Sequence, residues 1–344
     1  MKTNRMGSLL MILTVVFLFS CHPKPVDPVD PLPSWNETDI KRQLTDYIGV
    51  KAAQIPEEDR IAVFDMDGTI ACETPLWFEI AVAIQGMIEQ VEKDPSLAKL
   101  TEYQYARKLS VNPTDTTVLN HWVVNGVNYL DSIIMKSFDQ TDHEEYIRYA
   151  RNYLTTTEAP KYGMVYGDLF YQPMLELLEY LEANKFQIYI VSGSIQGVVW
   201  SICPQTIGFD RQHLLGTCQV LSPVYPKDKE ASFIIQKSIY QPKNDGDGKS
   251  KNIYTRLGKV PVMAVGNTTG DFGMFHLVST SKYPHLAMMI NHDDGEREYI
   301  YEPYHGTAVP NWQDSLRINN WIQADMSKEF KTVWKNKNWS GRDL

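Results

Sequence analysis

An apolar run, Ile61-Ala62-Val63-Phe64, ends abruptly in two carboxylates, Asp65 and Asp67, which Gly68 and Thr69 follow at once. Four consecutive apolar residues bounded by turn residues read as a strand covered on both faces, so a core must surround them. Two like charges beside such a core are costly unless a cation or a shared proton relieves them. Whatever fold the chain adopts must bring that relief to the end of a buried strand.

Three further runs have the same character. FQIYIV (186–191) leads into Ser192-Gly193-Ser194, VPVMAVG (260–266) into GNTTGD, and LAMMIN (286–291) into HDDGEREYIY. Helical patterns separate them. In YQPMLELLEYLEAN, Pro173 suits a first turn, Leu175, Leu178 and Leu181 mark one face, and Asn184 suits the end. Strands alternating with helices predict an α/β fold built on a doubly wound parallel sheet, with ligands at the carboxyl ends of the strands. With 43% hydrophobic residues, the 344-residue chain can bury one large domain carrying a sizeable insertion.

The N-terminus stands apart from that fold. Residues 1–20 carry Lys2 and Arg5 ahead of an apolar run from Leu9 to Phe19, which is short for a membrane span and fits an export signal. Leu18-Phe19-Ser20-Cys21 resembles a bacterial lipobox, which implies cleavage before Cys21 and lipid on its thiol. Prolines 23, 25, 28, 31 and 33 then favour an extended tether over residues 21–34. The chain is therefore expected to be an exported lipoprotein of the cell envelope, held to the membrane through its N-terminal lipid alone. Lys2 and Arg5 are the only charged side chains of the signal, so its removal takes the net charge from −9 to −11. That balance does not suit nucleic acid, where phosphate neutralisation dominates binding. Any anion site must be local. Beyond Cys21 there are Cys72, Cys203 and Cys218; a bridge between the last two is possible in an exported chain, and no spacing resembles a zinc site.

Four motifs in order, DMDGT, SGS, DGDGKSKNI and GNTTGD, resemble the haloacid dehalogenase superfamily, in its phosphoserine-phosphatase-like branch. The resemblance runs from about Ile61 to Tyr304. It implies a catalytic core over 35–74 and 166–344 and a helical cap inserted over 75–165. It implies a magnesium-dependent phosphomonoesterase acting on a small phosphorylated metabolite. Asp65 would be the nucleophile and Asp67 the general acid and base. Thr69 would hold the loop, while Ser192, the Gly193 amide and Lys249 would bind the phosphate, with Lys251 as the rival lysine. Asp65 and the Asp67 carbonyl would ligate Mg2+.

GNTTGD departs from the family, which has an acid after the glycine. Here Asn267 takes that place, with Asp271 at the second acidic position, and an amide oxygen brings no charge to a metal. The Gly-Asn variant, with CETP after DGT and the HDDGEREYIY tail, resembles a set of exported bacterial members. In the tail His292, Asp293 and Arg297 are candidates for the site, with a solvated helix start as the plainer reading. Glu73 stands near the place of a glutamate that phosphoserine phosphatases use for the substrate amine, with a solvent-facing acid as the alternative. The cap aromatics, Trp77, Phe78, Tyr103, Tyr105, Trp122, Tyr129, Tyr146 and Tyr149, read mostly as core; a cage among them would take a quaternary ammonium, making phosphocholine a candidate beside phosphoserine. Two other classes remain: a binding lipoprotein without turnover, hinted at by Asn267, and a phosphoacceptor signalling domain, which the cap, the second aspartate and the export signal disfavour.

Overall fold

A computed structural model describes residues 30–114, 123–124, 127–304 and 309–336. The export signal, Cys21 and the tether up to residue 29 lie outside the described residues, as does Trp122. Among the described residues no helix is long and apolar enough to cross a membrane. The folded unit begins at Pro31, earlier than the expected end of the tether. Leu32 is fully buried and the Ser34 N–H donates to Glu176 Oε2 at 2.8 Å, so two apolar residues, Leu32 and Trp35, draw the chain into the core here.

In chain order the elements are α1 (Asp39–Gly49), β1 (Ile61–Phe64), α2 (Phe78–Lys93), α3 (Thr101–Val111), β2 (Val123–Val124), β3 (Val127–Asn128), α4 (Tyr129–Ser137) and α5 (His143–Thr156). There follow α6 (Gln172–Ala183), β4 (Gln187–Ile195), α7 (Gln196–Ile207), β5 (Leu214–Thr217), β6 (Gln219–Val224), β7 (Ser232–Ile239), α8 (Asp247–Leu257) and β8 (Met263–Gly266). The last are α9 (Phe272–Ser279), β9 (Leu286–Asn291), α10 (Trp312–Asn319), β10 (Ile322–Asp325) and α11 (Met326–Glu329). Six strands form a sheet in the order β10-β9-β8-β1-β4-β5, and every neighbouring pair is parallel. The doubly wound α/β sheet expected from the alternating pattern is present.

β1 lies in the middle and is buried throughout, which is why its run has no alternation. Its side chains still point to opposite faces in turn. Ala62 and Phe64 join a core with Leu44 of α1 and Leu175 and Leu178 of α6, while Ile61 and Val63 join another with Ile253 of α8 and Phe275 of α9. Each fully buried aliphatic or aromatic side chain contributes roughly 1.5–3 kcal/mol by leaving water. β5 and β10, the two edge strands, escape the sequence reading because each has only four residues and IQAD is half polar. The antiparallel β6–β7 hairpin escapes it too, since a proline and exposed positions break its alternation.

The segment between β1 and β4 is mostly helical and has a core of its own. Leu76, Ile80, Ile84 and Met87 pack with Tyr103, Ala106 and Leu109 of α3 and with Leu130 and Ile133 of α4. This cluster joins α2, α3 and α4, while Phe78, Ala81 and Val82 of α2 pack into the core against the sheet. Cys72, Cys203 and Cys218 are all free, so the bridge left open in the sequence is not formed. The Cys203 sulfur packs 3.5 Å from the Met66 sulfur instead, and Cys218 Sγ lies 3.9 Å from Gln196 Oε1.

Candidate active site

The carboxyl ends of β1, β4 and β8 open into a cleft of about 280 Å³, whose far wall is contributed by α2 and α4. Asp65 and Asp67 leave the end of β1, and the chain between them and Glu73 must turn tightly. Gly68 makes that turn possible, with φ +73°. A Cβ there would stand 1.9 Å from Asn267 Nδ2 and 2.7 Å from Glu73 Oε1, so close approach also demands glycine.

Lys249, in the first turn of α8, is buried and donates to Asp65 Oδ1 and, at 2.6 Å, to Asp271 Oδ1. Lys251 is exposed two residues on. Burial, the largest influence, pulls the Lys249 ammonium down, yet Asp271 and Asp65 outweigh it and hold the ammonium above its ordinary range. Burial raises the Asp65 carboxyl well above its usual value; Lys249 opposes this, and Asp271 and Asp67 add to it. Both Asp271 oxygens have protein partners. Its Oδ2 accepts the N–H groups of Asn267 and Thr268 at 2.9 and 3.0 Å, so it braces Lys249 and the β8 loop.

Asp67 faces the end of β4. Its Oδ2 accepts the hydroxyls of Ser192 at 3.0 Å and Ser194 at 2.8 Å, while Oδ1 is buried without a protein partner. Burial pushes its carboxyl up to about 6; the Ser194 hydroxyl opposes the rise and Glu73 adds to it. Gly193 and Ser194 line the cleft, whereas Ser192 is fully buried behind them. Ser194 is a cleft hydroxyl that the sequence reading passed over, although it shares the Ser192 face of the strand at a spacing of two.

Glu73 lines the cleft and is 3% exposed, so the solvent-facing alternative does not hold. Both its oxygens are engaged. Oε1 accepts Asn267 Nδ2 at 2.8 Å and Oε2 accepts the Trp77 indole N–H at 2.8 Å. An ionised carboxylate only accepts, so it turns the Asn267 amide until Oδ1 faces the other way. There Oδ1 and Asp65 Oδ2 each lie 3.4 Å from the Thr69 hydroxyl. Asp293 and Arg297 do not line the cleft. Asp293 binds Ser327, and Arg297 donates to backbone carbonyls of Met326 and Phe330. His292 is buried behind the β1 loop rather than solvated.

The far wall holds Trp77, Glu79, Ile80, Leu130, Asp131 and Ile134. Of the described cap aromatics named above, Trp77 reaches the cleft; Phe78, Tyr103 and Tyr146 belong to cores, and Tyr105 stacks on Tyr129 at 4.8 Å. Glu79 and Asp131 were not foreseen, because nothing local marks a helix acid as facing a cleft. Glu79 Oε2 accepts the Ile195 N–H at 2.7 Å, tying α2 to the end of β4. Burial pushes its carboxyl from 4.5 up to about 7; Lys243 and the Ile195 N–H oppose this. The folded chain thus holds a proton that the unfolded chain has released. The contribution is complete below about pH 4.5 and is lost as pH rises through 7. Glu79→Gln should flatten that fall by about 1 kcal/mol or more. Melting temperature followed from pH 5 to 8 reads it, and an unchanged slope would place the proton elsewhere.

A parallel sheet whose polar cluster sits at the carboxyl ends of its central strands defines an α/β protein with a strand-end site. The sequence matches the haloacid dehalogenase-like hydrolase family over residues 60–269, and the chain belongs to that family. No curated protein matches it. Among solved structures it resembles a functionally unknown protein of Anaerococcus prevotii at 15% identity, covering 77% of this chain and 89% of that one, with a TM-score of 0.48. A phosphoserine phosphohydrolase-like protein of Francisella tularensis aligns at 12% identity over 78% and 97%, TM-score 0.40. A probable phosphoserine phosphatase of Vibrio cholerae aligns at 11% over 79% and 70%, TM-score 0.37. Likeness at this level says nothing about activity.

Proposed function

We propose that this chain is a magnesium-dependent phosphomonoesterase that works through an aspartyl phosphate at Asp65. One observation carries the reading. A buried ammonium, Lys249, is bonded to the Asp65 carboxylate, and a second carboxylate with a raised pKa, Asp67, stands two residues on. Asp65 attacks phosphorus, forming a new P–O bond as the bond to the leaving alcohol breaks. Asp67 gives the alkoxide its proton; a carboxyl near 6 holds that proton more readily than an ordinary aspartate. In the second half Asp67 takes a proton from water, which attacks phosphorus and frees both phosphate and Asp65. Lys249 sits where it meets charge on the phosphoryl oxygens, and Ser194 and the Gly193 backbone line the same wall.

The residues present fit a hard cation. Asp65 and Asp271 share the Lys249 ammonium, Asp67 Oδ1 is buried without a protein partner, and burial lifts the carboxyls of Asp65 and Asp67. Among the described residues no three acidic, histidine or cysteine side chains are grouped to hold an ion. The donors would instead be the Asp65 carboxylate, the Asp67 carbonyl and the oriented Asn267 oxygen, a set of hard oxygens suited to Mg2+ with water completing it. When bound, Mg2+ neutralises phosphate charge.

The far wall supports a cationic leaving group. Glu79 and Asp131 beside Trp77 and Ile80 suit a small alcohol bearing a cation, as in phosphoserine or phosphocholine. A primary ammonium is favoured, because a cage needs several rings and Trp77 is the described cap aromatic that reaches the cleft. Phosphate release from phosphoserine, phosphocholine and glycerol phosphate, with magnesium and then with chelator, tests the proposal. Magnesium-dependent release that favours the cationic esters is expected. Binding without turnover would return the chain to the class of binding lipoproteins.

A further inference from the structure

A buried ionic cluster beneath the β1 loop has no part in the chemistry above. His292 follows β9 and is 3% exposed; Glu298 is 0% exposed. His292 Nδ1 lies 2.7 Å from Glu298 Oε2, and Nε2 lies 2.7 Å from the Gly68 carbonyl oxygen. A peptide carbonyl has no proton to give. Burial raises the Glu298 carboxyl, but His292, with the Tyr171 hydroxyl at 2.6 Å and the Cys72 thiol at 3.2 Å donating to Oε1, holds it below its usual range, so it is a carboxylate. A neutral imidazole has one N–H and would leave two acceptors facing each other on one side or the other. Facing a Glu298 carboxylate and a peptide carbonyl, the ring carries both protons.

We propose that His292 is an imidazolium at neutral pH which, backed by Glu298, pins the Gly68 carbonyl and so positions Asp67. The inference rests on the role given to Asp67 above. Gly68 is fixed from both ends, because its N–H donates to Ala71 O at 2.7 Å while its carbonyl accepts from His292. Asp67 is then held by this turn from below and by Ser192 and Ser194 from the side. The imidazole faces Glu298 and Glu73, stacks on Tyr301 at 4.3 Å between ring centres, and has Tyr171 at 6.1 Å. Burial opposes its charge most strongly, but Glu298, Glu73 and the Gly68 carbonyl together outweigh it and keep the ring above its ordinary pKa. His292 in turn holds Glu298 below its usual range, against burial. His292 is a positioning residue and does not touch the substrate.

Leaving-group dependence separates this role from a merely structural one. An alkyl phosphate needs a proton from Asp67 as the alcohol departs, whereas p-nitrophenolate leaves without one. kcat/KM covers that step. His292→Gln should lower kcat/KM for an alkyl phosphate by about tenfold or more, and for p-nitrophenyl phosphate by about threefold or less. Glu298→Gln should give the same asymmetry, and serves where the first variant does not fold. Equal losses on both substrates overturn the positioning role. Nitrogen-15 NMR of the wild-type ring should show both nitrogens protonated at neutral pH, and a single protonated nitrogen overturns the imidazolium. The NMR result stands whether or not the wild type turns over, so an inactive wild type with a doubly protonated ring refutes the phosphatase and the Asp67 role, and leaves the Gly68 clamp.

Discussion

Asp65→Asn should leave a folded chain whose phosphate release falls by at least about a thousandfold. An amide cannot form the phosphoenzyme, and no neighbouring group replaces it. Asp67 points at the serines of β4, and both oxygens of Asp271 are occupied by Lys249 and by two backbone N–H groups. The fold should survive the change. Lys249 keeps Asp271 as a partner, and one carboxylate is removed from a buried cluster whose members raise each other's pKa values. Melting temperature should therefore hold or rise while activity disappears, the usual trade at a strained site. Phosphate release with saturating magnesium, read beside a thermal melt, checks both halves. Turnover above about one per cent of wild type would move the nucleophile elsewhere, by the same arithmetic of rate ratios.

The parts of this site that could be read in the sequence are those whose signal is local. IAVF ending in DMDGT marks a strand and its polar end, and the lysine of DGDGKSKNI opens a helix whose first turn faces that end. What escaped depends on contacts between distant segments. Ser192 and Ser194 share one strand face, and only the packing of β4 against β1 decides that Ser194 meets the cleft while both bond Asp67. Glu79 reads as an ordinary first-turn acid of α2, and its burial follows from where the inserted helices rest on the sheet. His292 reads as the start of a polar tail, because the Gly68 carbonyl that receives it lies 224 residues away. The edge strands β5 and β10 are short enough to be fixed by their neighbours rather than by their own pattern.

Glu73→Gln should weaken magnesium binding by about 10–100-fold, the usual range for removing the group that orients a metal ligand. The sequence pointed to Glu73 as a receptor for the substrate amine, but its two oxygens already serve the Asn267 amide and the Trp77 indole. Two donors need two acceptors, and glutamine offers one. If its oxygen keeps Trp77, its amino group meets that of Asn267, and the conflict is relieved when the Asn267 amide rotates by half a turn. Asn267 then presents N–H groups beside Asp65 and Thr69, where its oxygen had stood. The substitution thus acts on the cation without touching it. Every substrate should lose activity together when magnesium is limiting, and recover together when it is saturating. A role in amine binding would instead raise KM for phosphoserine and leave p-nitrophenyl phosphate alone. Asn267→Asp by itself would set two carboxylates face to face across 2.8 Å of buried space, destabilising the metal-free chain. Combined with Glu73→Gln the charges no longer oppose: the glutamine amino group can donate to the new carboxylate, which turns its other oxygen to the metal. Calorimetric titration with magnesium should therefore rank the double variant at or above wild type and Glu73→Gln well below both. Unchanged affinity in Glu73→Gln would remove Asn267 from the metal's ligands, leaving Asp65 to hold the ion with the Asp67 carbonyl and water.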